Sequence, residues 1–208
     1  MIAPARANAP ACPIEWAFAA RPLRGEIESG DLHVVAAFPG GVLIAVLDGL
    51  GHGPEAALAS RIAAATLRDN LGEPVTALME RCHDALHGTR GVVLSLALIE
   101  PQGREMTWIG IGNVDATLYR TGSVPLRRES LPHRGGVVGY QLPQLRATTL
   151  PLAMGDTLVF ATDGISGGFS AESPLGWHPQ DAADHILRTY AKDSDDALVV
   201  VARTIGDP

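Results

Sequence analysis

The chain has 208 residues, with 16 Lys and Arg against 23 Asp and Glu, so its formal net charge is -7. Hydrophobic residues make up 46% and charged residues 19%, a composition that excludes a disordered chain or a coiled coil. The negative charge argues against a nucleic-acid partner, because phosphate binding requires clustered Lys and Arg. No apolar segment approaches the roughly 20 residues that cross a bilayer, so no membrane partner is expected.

The N-terminal sequence mixes Pro, Ala and Arg and lacks the continuous apolar segment of a signal peptide. We expect residues 1–18 to form a flexible N-terminus and residues 19–208 to form one domain. Cys12 and Cys82 are the two cysteines, and they have neither CxxC spacing nor the density of a disulfide scaffold. We therefore predict ordinary thiols and a cytoplasmic protein.

The first half of the chain predicts a β-hairpin followed by two helices. Segments 32–38 and 42–47 are short, rich in β-branched residues and separated by Pro-Gly-Gly, which is typical of a hairpin. An Ala-rich stretch beginning at Pro54 predicts a helix, since the first helical turn tolerates proline. A second helix is predicted from Pro74 to about Leu86.

The remainder of the chain predicts mainly strands joined by short turns. They lie in segments 91–100, 105–112, 115–120, 145–150, 156–162 and 197–204. A third helix is predicted shortly before the last of these, which gives about nine strands and three helices. Strands paired by short turns, with helices early and late, favour an α+β fold of antiparallel sheets covered by helices.

Acidic residues lie at the edges of the apolar segments, at Asp31, Asp48, Asp163, Asp195 and Asp196. An aspartate at a strand end is commonly a turn former, because its side chain bonds to the nearby backbone. Glycine follows two of them, Asp48 and Asp163, and allows another group or a metal to approach the backbone closely. Carboxylates that converge repel each other and require cations, and all-oxygen ligands favour Mg²⁺ or Mn²⁺.

Four motifs, taken in order, resemble the metal-binding motifs of the PPM, or type 2C, protein phosphatases. They are SGD (29–31), AVLDGLGHG (45–53), FATDGI (160–165) and DDALVVVA (195–202). Within that superfamily the chain resembles the SpoIIE branch, and most of all its compact RsbX-type phosphatases of the stress response. The resemblance implies an α-β-β-α sandwich, in which two antiparallel sheets are flanked by helices.

The resemblance also implies a role for each motif residue at a centre of two divalent ions, Mn²⁺ or Mg²⁺. Asp48 would bridge the two ions, and Gly49 would offer its backbone carbonyl to one of them. Asp31 would support that same ion, directly or through water. Asp163 and Asp195 would hold the other ion.

Some assignments stay open. Asp195 is preferred to Asp196 because the ligand of the family lies immediately before a polar residue or Asp and the final strand. Arg21 and Arg24 lie near the place of the arginine that grips the phosphate in larger PPM phosphatases. Asn113 replaces the Asp of a Gly-Asp pair found in many relatives, which puts a third metal in doubt.

His52 lies in the glycine-rich turn after Asp48. In one interpretation it is catalytic and either donates a proton to the leaving seryl or threonyl oxygen or orients the site. In the other it caps the following helix or packs in the turn.

The resemblance implies a metal-dependent phosphoserine/phosphothreonine protein phosphatase in which a metal-bound hydroxide attacks the phosphoryl group. The implied substrates are phosphorylated STAS-domain proteins of the stressosome. One alternative is a catalytically silent PPM domain that serves as a protein-binding module. Another is a nucleotide-binding domain, because DGLGHG is superficially similar to a histidine-kinase glycine box, although such a site needs a preceding helix with an Asn-containing motif.

Overall fold

The computed structural model describes residues 14–100, 104–132 and 134–205. Within these residues the chain forms ten strands, three α-helices and a short 3₁₀-helix at Gly167–Ala171. The strands are β1 (Ile14–Arg21), β2 (Asp31–Phe38), β3 (Gly41–Gly49), β4 (Val92–Glu100), β5 (Glu105–Ile111), β6 (Asp115–Tyr119), β7 (Arg128–Ser130), β8 (Thr148–Pro151), β9 (Thr157–Ala161) and β10 (Ala197–Thr204). The helices are α1 (Pro54–Asp69), α2 (Val75–Ala85) and α3 (Pro179–Tyr190).

The strands form two five-stranded antiparallel sheets. The first sheet has the order β1-β10-β9-β6-β7, and the second has the order β2-β3-β4-β5-β8. Large apolar side chains from both sheets, such as Trp108, Phe160 and Val200, fill the space between them. Helices α1 and α2 pack on the outer face of the second sheet, and α3 packs on the outer face of the first. The predicted α-β-β-α sandwich is confirmed.

The N-terminal boundary differs from the prediction. Strand β1 begins at Ile14, so residues 14–18 are not a flexible segment, and residues 1–13 lie outside the described part of the chain. The strand pairs with β10 along its whole length, from Ile14 opposite Thr204 to Arg21 opposite Ala197. This partner is far away in sequence, so the local pattern of β1 could not indicate it.

Helix α1 brings its backbone unusually close to β3. Its buried face repeats small residues at helical spacing, including Ala56, Ala59 and Ala63. A β-carbon added to Gly49 would lie only 2.2 Å from the carbonyl oxygen of Ala56. The alanines of α1 and the glycine of β3 therefore fix the start of α1 directly against the end of β3.

The structure also bears on the membrane and cysteine expectations. Among the described residues, none of the helices is both long and apolar enough to traverse a bilayer. Cys82 is a buried free thiol, and burial raises its pKa to about 12, as expected for a structural cysteine. Cys12 lies outside the described residues.

The structure also tests the nucleotide-binding alternative. Asp48 lies near the end of strand β3, so the segment before it is a strand and not the helix that this alternative requires.

Candidate metal and catalytic site

Asp31 and Asp48 lie directly opposite each other in the pairing of β2 with β3. Directly opposed residues of an antiparallel pair project to the same face, where like charges are destabilising. Burial raises the pKa of Asp31 to about 8, and the charge of Asp48 adds to this effect. Burial likewise raises the pKa of Asp48 to about 7, with added repulsion from Asp163, Asp195 and Asp196.

The other carboxylates come from the first sheet, at the end of β9 and the start of β10. Asp163 accepts a 2.8 Å hydrogen bond from Nδ2 of Asn113, and its backbone oxygen accepts one of 2.6 Å from Nζ of Lys192. Burial raises the pKa of Asp195, and the charges of Asp163 and Asp196 raise it further. The fold therefore gathers all five predicted aspartates at one end of the sandwich.

This arrangement fits a hard divalent ion. Among the described residues, no three acidic, His or Cys side chains already surround a common point as ligands of one ion. Mg²⁺, however, usually keeps several waters and binds through one or two carboxylates. Burial and the charges of neighbouring carboxylates raise the pKa of Asp31 and Asp48, and a bound cation would relieve the repulsion among these carboxylates.

After Asp48 and Asp163 the chain passes so close to the backbone of another segment that a side chain would not fit, and glycine occupies both positions. A β-carbon at Gly164 would lie 1.8 Å from the carbonyl oxygen of Asp196, and Gly49 is similarly close to α1. The backbone amide of Gly49 also donates to the carbonyl of Gly30 at 3.1 Å. Close approach was predicted correctly, and a metal contact of the Gly49 carbonyl stays a prediction.

The structure distinguishes Asp195 from Asp196 by their hydrogen bonds. Asp196 is buried, and its two carboxylate oxygens accept from the backbone amides of Leu23 and Gly30, each at 2.7 Å. Asp195 is only partly buried, and its Oδ1 accepts from the amide of Asp196 at 2.9 Å. Asp196 therefore holds the loop between β1 and β2, and Asp195 is the better candidate for a metal ligand.

His52 contacts the loop between β1 and β2 and does not cap α1. Its Nδ1 lies 2.7 Å from Oε1 of Glu26, and its side chain is 58% exposed. The N-cap residue of α1 is Gly53, and no side chain caps the helix, so the capping interpretation is wrong. The charge of His52 lowers the pKa of Asp195 against the larger raising effects, which places the imidazole near the carboxylates.

The two arginine candidates differ in their contacts. Arg21 donates to the backbone oxygen of Lys192 at 2.6 Å and pairs with Asp193 at 3.2 Å. Arg24 is exposed and directly follows Leu23, whose amide binds Asp196. Arg21 is thus engaged by the segment before β10, and a phosphate contact of either arginine stays a prediction.

Thr162 is a site residue that the sequence analysis missed. Its hydroxyl donates to Oδ2 of Asp31 at 2.7 Å and accepts from the amide of Leu198 at 2.9 Å. Thr162 thereby links Asp31 of the second sheet to Leu198 of the first sheet. The one sequence signal for it is its position directly before Asp163.

Replacing Thr162 with Val should lower the free energy of unfolding by about 1–3 kcal/mol, because a buried carboxyl and a buried amide lose their partner. Chemical denaturation measures this change. Thr107→Val is the matched control, since that hydroxyl bonds to Thr149 near solvent and water can replace it. Equal losses in the two variants would contradict the bridging role of Thr162.

Comparison with known proteins identifies the family. Residues 39–205 match the family described as Stage II sporulation protein E (SpoIIE). The chain is 29% identical over 143 residues to phosphoserine phosphatase RsbX of Bacillus subtilis (strain 168), covering 68% of this chain and 70% of RsbX.

Solved structures agree with this assignment. A structure described by the words "The bacterial stressosome: a modular system that has been adapted to control secondary messenger signaling" aligns with a TM-score of 0.82 and 28% identity, covering 91% of this chain and 99% of that one. RsbX in complex with magnesium aligns with a TM-score of 0.81 and 22% identity, covering 92% and 95%. The PP2C phosphatase domain of SpoIIE from Bacillus subtilis has a TM-score of 0.77 and 21% identity, covering 94% and 64%. The chain belongs to the SpoIIE family, and it has the fold of the PP2C phosphatase domains.

Proposed function

We propose that this chain dephosphorylates phosphoserine and phosphothreonine in proteins with the help of two divalent ions, Mn²⁺ or Mg²⁺. The observation that carries the proposal is the opposed pair of carboxylates, buried Asp31 and partly buried Asp48. Burial and neighbouring carboxylates raise the pKa of both groups. Magnesium in the solved RsbX structure supports the same class of ion.

In this proposal Asp31, Asp48, Asp163, Asp195 and the Gly49 carbonyl would hold the two ions. Bound ions would supply a water-derived nucleophile at neutral pH and neutralise charge on the phosphoryl group. The chain's own polar groups keep the ligands in place. Thr162 orients Asp31, and Asn113 orients Asp163.

His52 is the proposed proton donor to the leaving seryl or threonyl oxygen. The carboxylate of Glu26 binds Nδ1 and so fixes the direction of the ring, which leaves Nε2 for the substrate. An imidazolium held in this way can protonate an alkoxide as the phosphorus–oxygen bond breaks.

His52→Gln should lower kcat on a phosphoserine peptide by about 100-fold, the range of general acid catalysis. The same variant should retain most of its turnover of p-nitrophenyl phosphate, because nitrophenolate leaves without a proton. Steady-state kinetics with both substrates tests this difference. Equal losses on the two substrates would exclude the proton-donor role.

The proposed substrates are phosphorylated STAS-domain proteins of a stress-signalling complex, and the proposed location is the cytoplasm. The likeness to RsbX and to the stressosome-related structure supports this substrate class. We also propose that the described residues act as one domain, since both sheets contribute carboxylates to the site.

The direct test is to incubate the protein with phosphorylated STAS proteins of its own organism and to follow phosphate loss by mass spectrometry. Phosphate loss that requires Mn²⁺ or Mg²⁺ is the expected result. Intact divalent-ion binding without any hydrolysis would instead support the silent, protein-binding alternative.

A further inference from the structure

We propose that Ile27 is a specificity-determining residue that contacts the folded phosphoprotein substrate beside the catalytic site. Ile27 is 97% exposed at the tip of the loop between β1 and β2. Single exposed apolar side chains are ordinary on protein surfaces, so exposure alone is not the reason. The reasons are the rigidity of this loop and its position, and the inference rests on the proposed phosphatase function.

Both ends of the loop are fixed by one buried carboxylate. Asp196 accepts from the amides of Leu23 and Gly30, each at 2.7 Å. The amide of Glu26 also donates to the carbonyl of Leu23 at 2.9 Å, which closes a turn just before Ile27. The backbone on each side of Ile27 is therefore held by the same group that lies among the site carboxylates.

The two neighbours of Ile27 in the sequence connect the loop to other parts of the protein. Glu26 contacts His52 in the turn after β3, and Glu28 contacts Arg61 of α1, each at 2.7 Å. Exposed contacts of this kind contribute little to global stability, but two of them on either side of Ile27 restrict the backbone that carries it. Ile27 is thus presented to solvent in a fixed position, and a preorganised apolar anchor loses little entropy on binding.

The position of Ile27 beside site residues supports contact with a protein substrate. It lies four residues before Asp31, and its neighbour Glu26 touches the candidate proton donor His52. We expect a folded protein that brings a phosphoserine to the carboxylates to approach this loop, because the loop contacts Asp196 and His52. Leu58 of α1 is half-exposed and lies one helical turn before Arg61, which contacts Glu28 of this loop. The partner surface that fits is an apolar patch next to the phosphorylated residue.

The test compares Ile27→Ser with Val124→Ser. Serine removes the apolar side chain without adding charge near the metal site. Val124 is 98% exposed and follows β6, whose first residue Asp115 lies toward the site and whose last residue Tyr119 lies at the opposite end. Both variants should fold normally, because neither side chain is buried, and thermal melting verifies this.

Each variant is assayed with p-nitrophenyl phosphate and with a phosphorylated STAS-domain protein. Ile27→Ser should lower kcat/KM on the phosphoprotein about tenfold, mainly through KM, as expected for an interface anchor. It should leave p-nitrophenyl phosphate turnover unchanged, Ile27→Leu should restore protein turnover, and Val124→Ser should match the wild type. Unchanged kcat/KM of Ile27→Ser on the phosphoprotein would overturn the inference. Failure of the wild type on both substrates would instead refute the proposed function.

Discussion

Asp48→Asn is expected to lower phosphatase turnover about a thousandfold or more. Asp48 is the carboxylate proposed to contact both ions, and an amide cannot supply the anionic oxygens that hold them. A loss of a few kcal/mol of transition-state stabilisation corresponds to this factor. Steady-state assays with p-nitrophenyl phosphate in the presence of Mn²⁺ measure it, and they do not depend on the identity of the protein substrate.

The same substitution should stabilise the metal-free protein. Burial and neighbouring carboxylates raise the pKa of Asp48 to about 7, which means that its ionised form is unfavourable in the folded state. A neutral amide removes this cost, so the variant should melt at a higher temperature at pH 8. Asp69→Asn is the control, because Asp69 is exposed at the far end of α1 and should change neither property. Normal turnover in Asp48→Asn would refute the mechanism, and an unchanged melting temperature would refute the assigned repulsion.

The second large effect is a fall in the stability of the metal-free protein as the pH rises from about 4 to 8. The pKa of Asp31 is raised from 3.8 to about 8 and that of Asp48 from 3.8 to about 7. Between these values the folded state binds more protons than the unfolded state, so stability decreases as pH increases. The stability that the protonated carboxyls of Asp31 and Asp48 give to the folded metal-free protein is fully present below about pH 4, and it is lost as the pH rises through 7 to 8.

Divalent ions should reverse this loss. An ion that binds only the folded state adds stability that grows with its concentration, and it does so at the pH where the carboxylates are ionised. Melting in EDTA, in Mg²⁺ and in NaCl of matched ionic strength, at pH 5 and pH 8, separates binding from screening. Stabilisation by Mg²⁺ at pH 8 but little at pH 5 is expected. Equal effects of Mg²⁺ and NaCl at pH 8 would contradict a specific site.

Local patterns predicted most of the regular structure. The hairpin of β2 and β3 and the Ala-rich helix α1 appear where their residues indicated, because turn chemistry and helix propensity act over short distances. The aspartates at the strand ends were visible for the same reason. Their convergence was supported by resemblance to a family, since periodicity does not show which strand ends meet.

Other features depend on distant partners. Strand β1 exists through its pairing with β10, and β7 is a three-residue strand without an apolar pattern. The role of Thr162 depends on Asp31, which lies 131 residues away in sequence. The exposure of Ile27 depends on contacts that Asp196 and Arg61 make with its loop. None of these long-range contacts leaves a local signature in the sequence.

Titration of Mn²⁺ into metal-free protein by isothermal calorimetry tests the central claim most directly, namely that the carboxylate cluster is a divalent-metal centre. Saturable binding of two ions per chain is predicted for the wild type and for Asp69→Asn, and it should be lost or greatly weakened in Asp48→Asn. Phosphatase activity should return as the sites fill. Absence of saturable binding, together with full activity in EDTA, would contradict the account.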